Sequence, residues 1–186
     1  LKTWLGAPRY QGPDVVLEDT IGLVNGLAWT SVGGELLQAE ANAMPGSGKV
    51  QMTGNLGKVM QESVRAAWSY LRSRSAQLGL PEAFYKTQDV HVHFPEGAVP
   101  KDGPSAGVTI ATAMASALTG IPVRQDVAMT GEVTLRGRVL PIGGLREKTM
   151  AALRNGIHKV ILPAENQKDI EEIDPAVREK LEFYPV

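Results

Sequence analysis

The sequence predicts an α/β fold, a compact single domain of mixed small sheets with helices. Residues 58–78 carry Met60, Val64, Ala67, Trp68, Leu71, Ser75 and Leu78 on one helical stripe, with Arg65, Arg72 and Arg74 off it. Short strand-like runs precede and follow this stretch. Toward the C-terminus, a helix after Gly143-Gly144, a turn at Asn155-Gly156 and a strand at Lys159-Val160-Ile161-Leu162 follow one another in the order of a crossover between parallel strands. At 186 residues the chain suits one domain that buries a core without staples.

Residues 1–20 hold Pro8, Gly12 and Pro13 with little periodicity and are expected to be an extended lead-in. In residues 21–53, Leu27-Ala28-Trp29-Thr30, Glu35-Leu36-Leu37-Gln38-Ala39-Glu40 and Lys49-Val50-Gln51-Met52-Thr53 are expected to form a small antiparallel sheet. Pro45-Gly46-Ser47-Gly48-Lys49-Val50 superficially suits a phosphate-binding loop. Ala43 stands where the first glycine belongs, however, and Val50 where a magnesium-holding hydroxyl belongs, so a β-turn explains the glycines better. Gly79 and Pro81 end the first helix. In residues 89–94, alternation puts Val90, Val92 and Phe94 on one face and His91 and His93 on the other. A His-x-His pair on a strand can hold zinc, but no third ligand has a recognisable spacing, and Glu96 lies past Pro95.

Between Asp102 and Arg124 there is no charged side chain, and Val108, Ala111, Ala115 and Leu118 recur at helical spacing. This predicts a buried helix. Thr109, Thr112, Ser116, Thr119 and Pro122 make it a poor membrane span. Residues 126–130 are expected to form a strand, and residues 132–135 and 138–142 a hairpin around Arg136-Gly137. The helix after Gly143 and Gly144 puts Leu145, Lys148, Thr149 and Ala152 on one face. Short surface helices at residues 166–173 and 176–180 and a last edge strand at residues 181–184 complete the chain.

Two residues carry chemistry. Ser105, in Lys101-Asp102-Gly103-Pro104-Ser105-Ala106-Gly107, stands where the uncharged helix begins. Helix-terminal N–H groups and the positive end of the dipole suit an oxyanion there, and glycine on both sides admits a substrate backbone. Ser105 could equally be only a helix cap. Lys148 falls on an apolar stripe, where a lysine either snorkels or, desolvated, loses its proton easily and can take one from a serine hydroxyl. Gly103-Pro104-Ser105-Ala106-Gly107 also fits the G-x-S-x-G nucleophile elbow, with Asp126 and His158 following in triad order, but Pro95 and Pro100 interrupt the strand an elbow requires. No serine has a lysine three positions on.

Composition removes other classes. With 19 basic and 20 acidic residues the net charge is −1, which gives no field to attract nucleic acid or a membrane. Zero cysteines exclude a disulfide scaffold, a thiolate zinc site and a cysteine nucleophile. No basic n-region with an apolar h-region is visible.

Asp102-Gly103-Pro104-Ser105-Ala106-Gly107-Val108-Thr109-Ile110 resembles the active-site signature of the Lon proteases, and Lys148 stands where that family's catalytic lysine would. Gly26-Leu27-Ala28-Trp29-Thr30, Gly34-Glu35, His91-Val92-His93-Phe94-Pro95-Glu96-Gly97, residues 129–137 and Leu140-Pro141-Ile142-Gly143-Gly144 extend the resemblance along nearly the whole chain, closest to the A-type branch. The resemblance implies the Lon proteolytic-domain fold over residues 21–186, with residues 1–20 as the joint to an ATPase module outside this chain. It implies a Ser105–Lys148 dyad that hydrolyses unfolded or damaged polypeptides. Thr130 would orient the lysine, and His91, His93 and Asp102 would be supporting groups. Backbone at Gly103 and Ala106 would serve the oxyanion. No metal or cofactor is expected in this chain, ATP and magnesium belonging to the absent module. A homo-oligomer, a hexameric ring, is expected in the cytoplasm, or in the mitochondrial matrix if the source is eukaryotic.

Overall fold

The computed structural model describes residues 18–186. Most of the expected lead-in therefore lies outside the described residues; Thr20 pairs with Val123 in an isolated bridge. Nine strands follow: β1 (Leu23–Thr30), β2 (Gly33–Pro45), β3 (Val50–Thr53), β4 (Gln88–His93), β5 (Val127–Met129), β6 (Glu132–Val133), β7 (Val139–Leu140), β8 (Lys159–Leu162) and β9 (Glu182–Pro185). The main helices are α1 (Lys58–Ser73), α2 (Gly107–Thr119), α3 (Leu145–Arg154) and the single turn α4 (Pro175–Arg178).

Seven strands join one mixed sheet in the order β3-β4-β2-β1-β5-β8-β9, while β6 and β7 form a separate ribbon. The α/β class stands. The small antiparallel sheet expected in residues 21–53 does not form by itself: β1 and β2 pair antiparallel, but β3 lies parallel to β4, and β4 inserts between β2 and β3. The cause is the turn after Pro45. There Asp89 Oδ1 accepts the N–H groups of Ser47, Gly48 and Lys49 at 2.7, 2.8 and 2.7 Å, which bends the chain over the start of β4. Those donors, Lys49 first, hold the Asp89 carboxyl below its usual range.

The strand period decides which helix covers which face. On one face α1 and α2 bury Met60, Val64, Trp68, Ile110 and Met114 against Val24, Ala39, Val90, Val92 and Met129. On the other, α3 buries Ala151 and Ala152 against Leu27, Ala128 and Val160. Neighbouring residues of β5, Ala128 and Met129, thus belong to different cores. Each buried side chain of leucine or phenylalanine size contributes about 1.5–3 kcal/mol. Trp68 meets Phe84 edge-on, with centroids 5.5 Å apart.

The first helix is shorter than expected. Regular structure ends at Ser73, and turns carry the stripe on until Gly79, at φ +66, lets the chain leave. Leu78 still packs against the core. The crossover through α3 gives the parallel β5–β8 pair that the element order predicts, and β9 extends it in parallel at the sheet edge. Among the described residues, no helix is long and apolar enough to cross a membrane.

Candidate active site

Ser105 lies in an irregular stretch two residues before α2. Backbone pairing with the approach to α1 fixes this stretch: Gly57 N–H donates to Lys101 O at 2.7 Å, and Lys101 N–H to Asn55 O at 3.0 Å. Asp102 completes the attachment. Its Oδ1 accepts the N–H of Met60, in the first turn of α1, at 3.0 Å and that of Gly103 at 2.9 Å, so it caps a helix whose own N-cap, Gly57, has no side chain. A Cβ on Gly57 would lie 2.3 Å from Asp102 Cγ.

Behind Ser105 the chain meets the segment that follows β5. Gly131 N–H donates to Ser105 O at 2.8 Å, and Val108 N–H to Gly131 O at 2.9 Å. Gly107 allows this approach, because a Cβ there would sit 2.7 Å from Val133 N. These bonds consume donors that helix geometry alone leaves open. Gly107 N–H goes to Pro104 O, and Gly103 N–H goes to Asp102, whereas among the described residues the N–H groups of Ser105 and Ala106 have no acceptor.

Lys148 arrives from the opposite face on α3. Gly34 lets that helix lie against β2, since a Cβ there would overlap Glu147 O. Lys148 is 2% exposed, and its Nζ donates to Thr130 Oγ1 at 3.1 Å. The fully buried Thr130 hydroxyl donates in turn to Ser105 O at 3.4 Å. Burial lowers the amine from its ordinary 10.5 to about 8, because no carboxylate offsets the lost hydration. No hydrogen bond joins Lys148 Nζ to Ser105 Oγ among the described residues. Ser105 lines a cleft of about 280 Å³ with Trp29, Leu37, Met60, Val99 and Ala106 among its walls.

The structure thus brings Ser105, Lys148, Thr130, Asp102, Gly103 and Ala106 to one region. His91 and His93 lie elsewhere. Both rings contact the Thr53 hydroxyl, at 2.8 and 2.7 Å, and line a separate cavity with Glu40 and Asn42. Among the described residues, no three metal-ligating side chains gather as an ion would need. The triad candidates are apart from Ser105 as well. Asp126 pairs with Arg124 and Lys159, which hold its carboxyl down to about 2, and exposed His158 contacts Lys180 O. Both residues stand at the starts of β5 and β8, whereas Ser105 is fastened beyond the end of β5, about 13 Å along at ~3.3 Å per residue.

The surface helix expected over residues 166–173 is a 3-10 helix over Ala164–Glu172, and its Asn166 is not at the surface but 3% exposed. It makes a two-bond pairing with Ile142, just before the glycines that open α3. No local pattern marks an asparagine for such a partner 24 residues away.

The fold and site define an α/β domain that brings a cleft-lining serine, just before α2, and a desolvated lysine amine, on α3 from the other face of the sheet, to the two sides of one buried threonine. The chain belongs to the family described as the Lon protease (S16) C-terminal proteolytic domain, which it matches over residues 1–186. It is 59% identical over its full length to the Lon protease of Azorhizobium caulinodans, covering 22% of that protein. It is 60% identical over its full length to Lon protease 1 of Hydrogenovibrio crunogenus, covering 23%. Over 99% of its length it is 58% identical to Lon protease 1 of Thermus thermophilus, again 23% of that protein. The chain therefore spans less than a quarter of these curated relatives.

Proposed function

We propose that the chain is a serine peptidase in which Ser105 is the nucleophile and Lys148 the general base. The observation that carries this reading is the Lys148 amine, sealed from water, lowered to about 8 and held 3.1 Å from the Thr130 hydroxyl behind Ser105. An amine in that range has a substantial neutral fraction near neutral pH, which a general base needs.

With a polypeptide in the cleft, the amine moves into contact with Ser105 Oγ and removes its proton as the oxygen adds to the scissile carbonyl. Catalytic contacts tighten in this way when substrate binds. The N–H groups of Ser105 and Ala106 hold the oxyanion, while Gly103 N–H stays with Asp102 and shapes the loop. The ammonium then gives its proton to the leaving amine as the C–N bond breaks, which leaves an ester on Ser105. Water, deprotonated by Lys148, cleaves that ester and restores the serine. The serine's original proton leaves with the amine, the hydroxide of water goes to the acyl product, and Lys148 hands water's proton to Ser105 Oγ, so the enzyme is restored and the sequence calls on no metal or cofactor.

As part of a longer Lon-like protease, the domain receives unfolded or damaged polypeptides from an ATP- and magnesium-dependent module. It works in a homo-oligomeric ring of six, in the cytoplasm or the mitochondrial matrix. Ser105→Ala tests the reading. Peptide hydrolysis should fall at least a thousandfold while the circular dichroism spectrum stays unchanged, and a serine-directed acylating or boronic probe should attach at Ser105 alone. Wild-type rates in the alanine variant, or an adduct on another serine, would overturn it.

A further inference from the structure

The lysine reaches the site on α3, while its partner Thr130 follows β5, so the 3.1 Å contact between them depends on how helix and strand are fixed to each other. β5 is held by β8, whose Ile161 O accepts Thr130 N–H at 3.1 Å. Four residues past the end of β8 stands Asn166. Its Oδ1 accepts Ile142 N–H at 2.9 Å, and its Nδ2 donates to Ile142 O at 2.9 Å. An amide side chain here occupies the place of a neighbouring strand. Nδ2 also donates to Asp169 Oδ2 at 2.7 Å, which fixes the end of the amide that faces each group of Ile142. Two residues beyond Ile142, Gly144 adopts φ +69 and its carbonyl takes the first α3 hydrogen bond, from Lys148 N–H at 3.0 Å. Leu145, Leu162 and Ile173 close an apolar cluster around this junction.

Resting on the peptidase reading, we propose that Asn166 is a positioning residue: it clamps the root of the lysine-bearing helix to the β8 end that also secures Thr130, and so sets where the Lys148 amine stands relative to Ser105. It touches no reacting atom. Glycine flexibility at positions 143 and 144 makes the clamp necessary, because without it the helix root is held by side-chain packing while the Arg154 bond to Gly34 O ties down only the far end of α3. Replacement by aspartate keeps the size but turns a carboxylate oxygen toward both Ile142 O and the Asp169 carboxylate. Alanine leaves both Ile142 groups without their partner.

The test separates position from folding by following a serine-acylating probe on wild type, N166D, N166A and D169A. Two quantities are read, the labelled fraction at completion and the rate of labelling. The clamp predicts near-complete labelling in folded N166D and N166A, with rates reduced ten- to a hundredfold and kcat for a short peptide falling in step at nearly unchanged KM. D169A, which only frees the amide to turn, should slow labelling about threefold. If N166D and N166A do not fold, D169A alone decides. A labelling rate equal to wild type in every variant that folds, with only the labelled fraction or melting temperature lowered, would make Asn166 structural and overturn the clamp. A wild-type chain that labels at a residue other than Ser105 would instead overturn the peptidase reading.

Discussion

At residue scale the burial of Lys148 has two separable consequences for pH dependence. On the proposed dyad the neutral amine is the working form, so peptidase rate should rise about tenfold per pH unit below about 8 and level off above it. A steady-state pH–rate profile checks this, and a limb that moves in His158→Ala would assign it to the histidine instead. Lys148→Arg should be as inactive as Lys148→Met, because a guanidinium keeps its proton. Stability moves too. The unfolded lysine holds its proton up to about 10.5 and the folded one only to about 8, so the unfolded state binds more protons between those values, and stability rises with pH across that window. The rise is about 3 kcal/mol at most. Denaturant titrations from pH 7 to 10.5 should show it in wild type, and Lys148→Met should lack it while being the more stable protein near pH 7. Neighbouring residues made Ser105 and Lys148 candidates, because a serine at a helix start and a lysine on an apolar stripe are local patterns, but they left a helix cap and a snorkelling lysine open, and family resemblance chose between the readings. Thr130 came only through family resemblance. Which N–H groups near Ser105 stay open also goes beyond helix position, since Val108 N–H is spent on the distant Gly131 O and Gly103 N–H on its neighbour Asp102.

At element scale the helices were readable because their period is written within each segment: α2 and α3 fall where the stripes and glycines put them, and α1 begins there but ends at Ser73, short of Leu78. The parallel β5–β8 pair followed from the order helix, turn, strand. The partner of β3 did not, because its pairing with β4 depends on one carboxylate, Asp89, contributed from 40 residues on. Gly34 illustrates what close packing demands of an element. Its Cβ would overlap the Glu147 carbonyl, and the residues on either side of that clash are the helix turn that carries Lys148. Gly34→Ala should therefore push α3 off β2, with a cost of about 1–3 kcal/mol in the range of overpacked sites. Activity should fall more than stability alone accounts for. Urea unfolding compared with peptidase rate per folded molecule checks this, and a variant with wild-type rate and midpoint would show that α3 tolerates the displacement.

For the whole molecule, the proposed ring makes activity a function of concentration. An interface near the ~1,200 Å² lower limit for specific association holds firmly only when the protein is abundant. Sedimentation velocity run beside peptidase assays should show rate per chain climbing as larger species appear, and folded substrates should resist cleavage while short peptides are cut slowly. A strictly monomeric domain with constant specific activity would remove assembly from the proposal. Ser105 stands just before the helix on one face of the sheet and Lys148 on the helix of the other, and their meeting at Thr130, past the end of β5, has a further consequence for the history of each molecule. Neither layer by itself holds a competent pair, and the strand between them gains its second neighbour, β8, only after about thirty more residues have been made. On the proposed dyad, a chain still emerging from the ribosome should have no cutting power until α3 docks and Lys148 reaches Thr130.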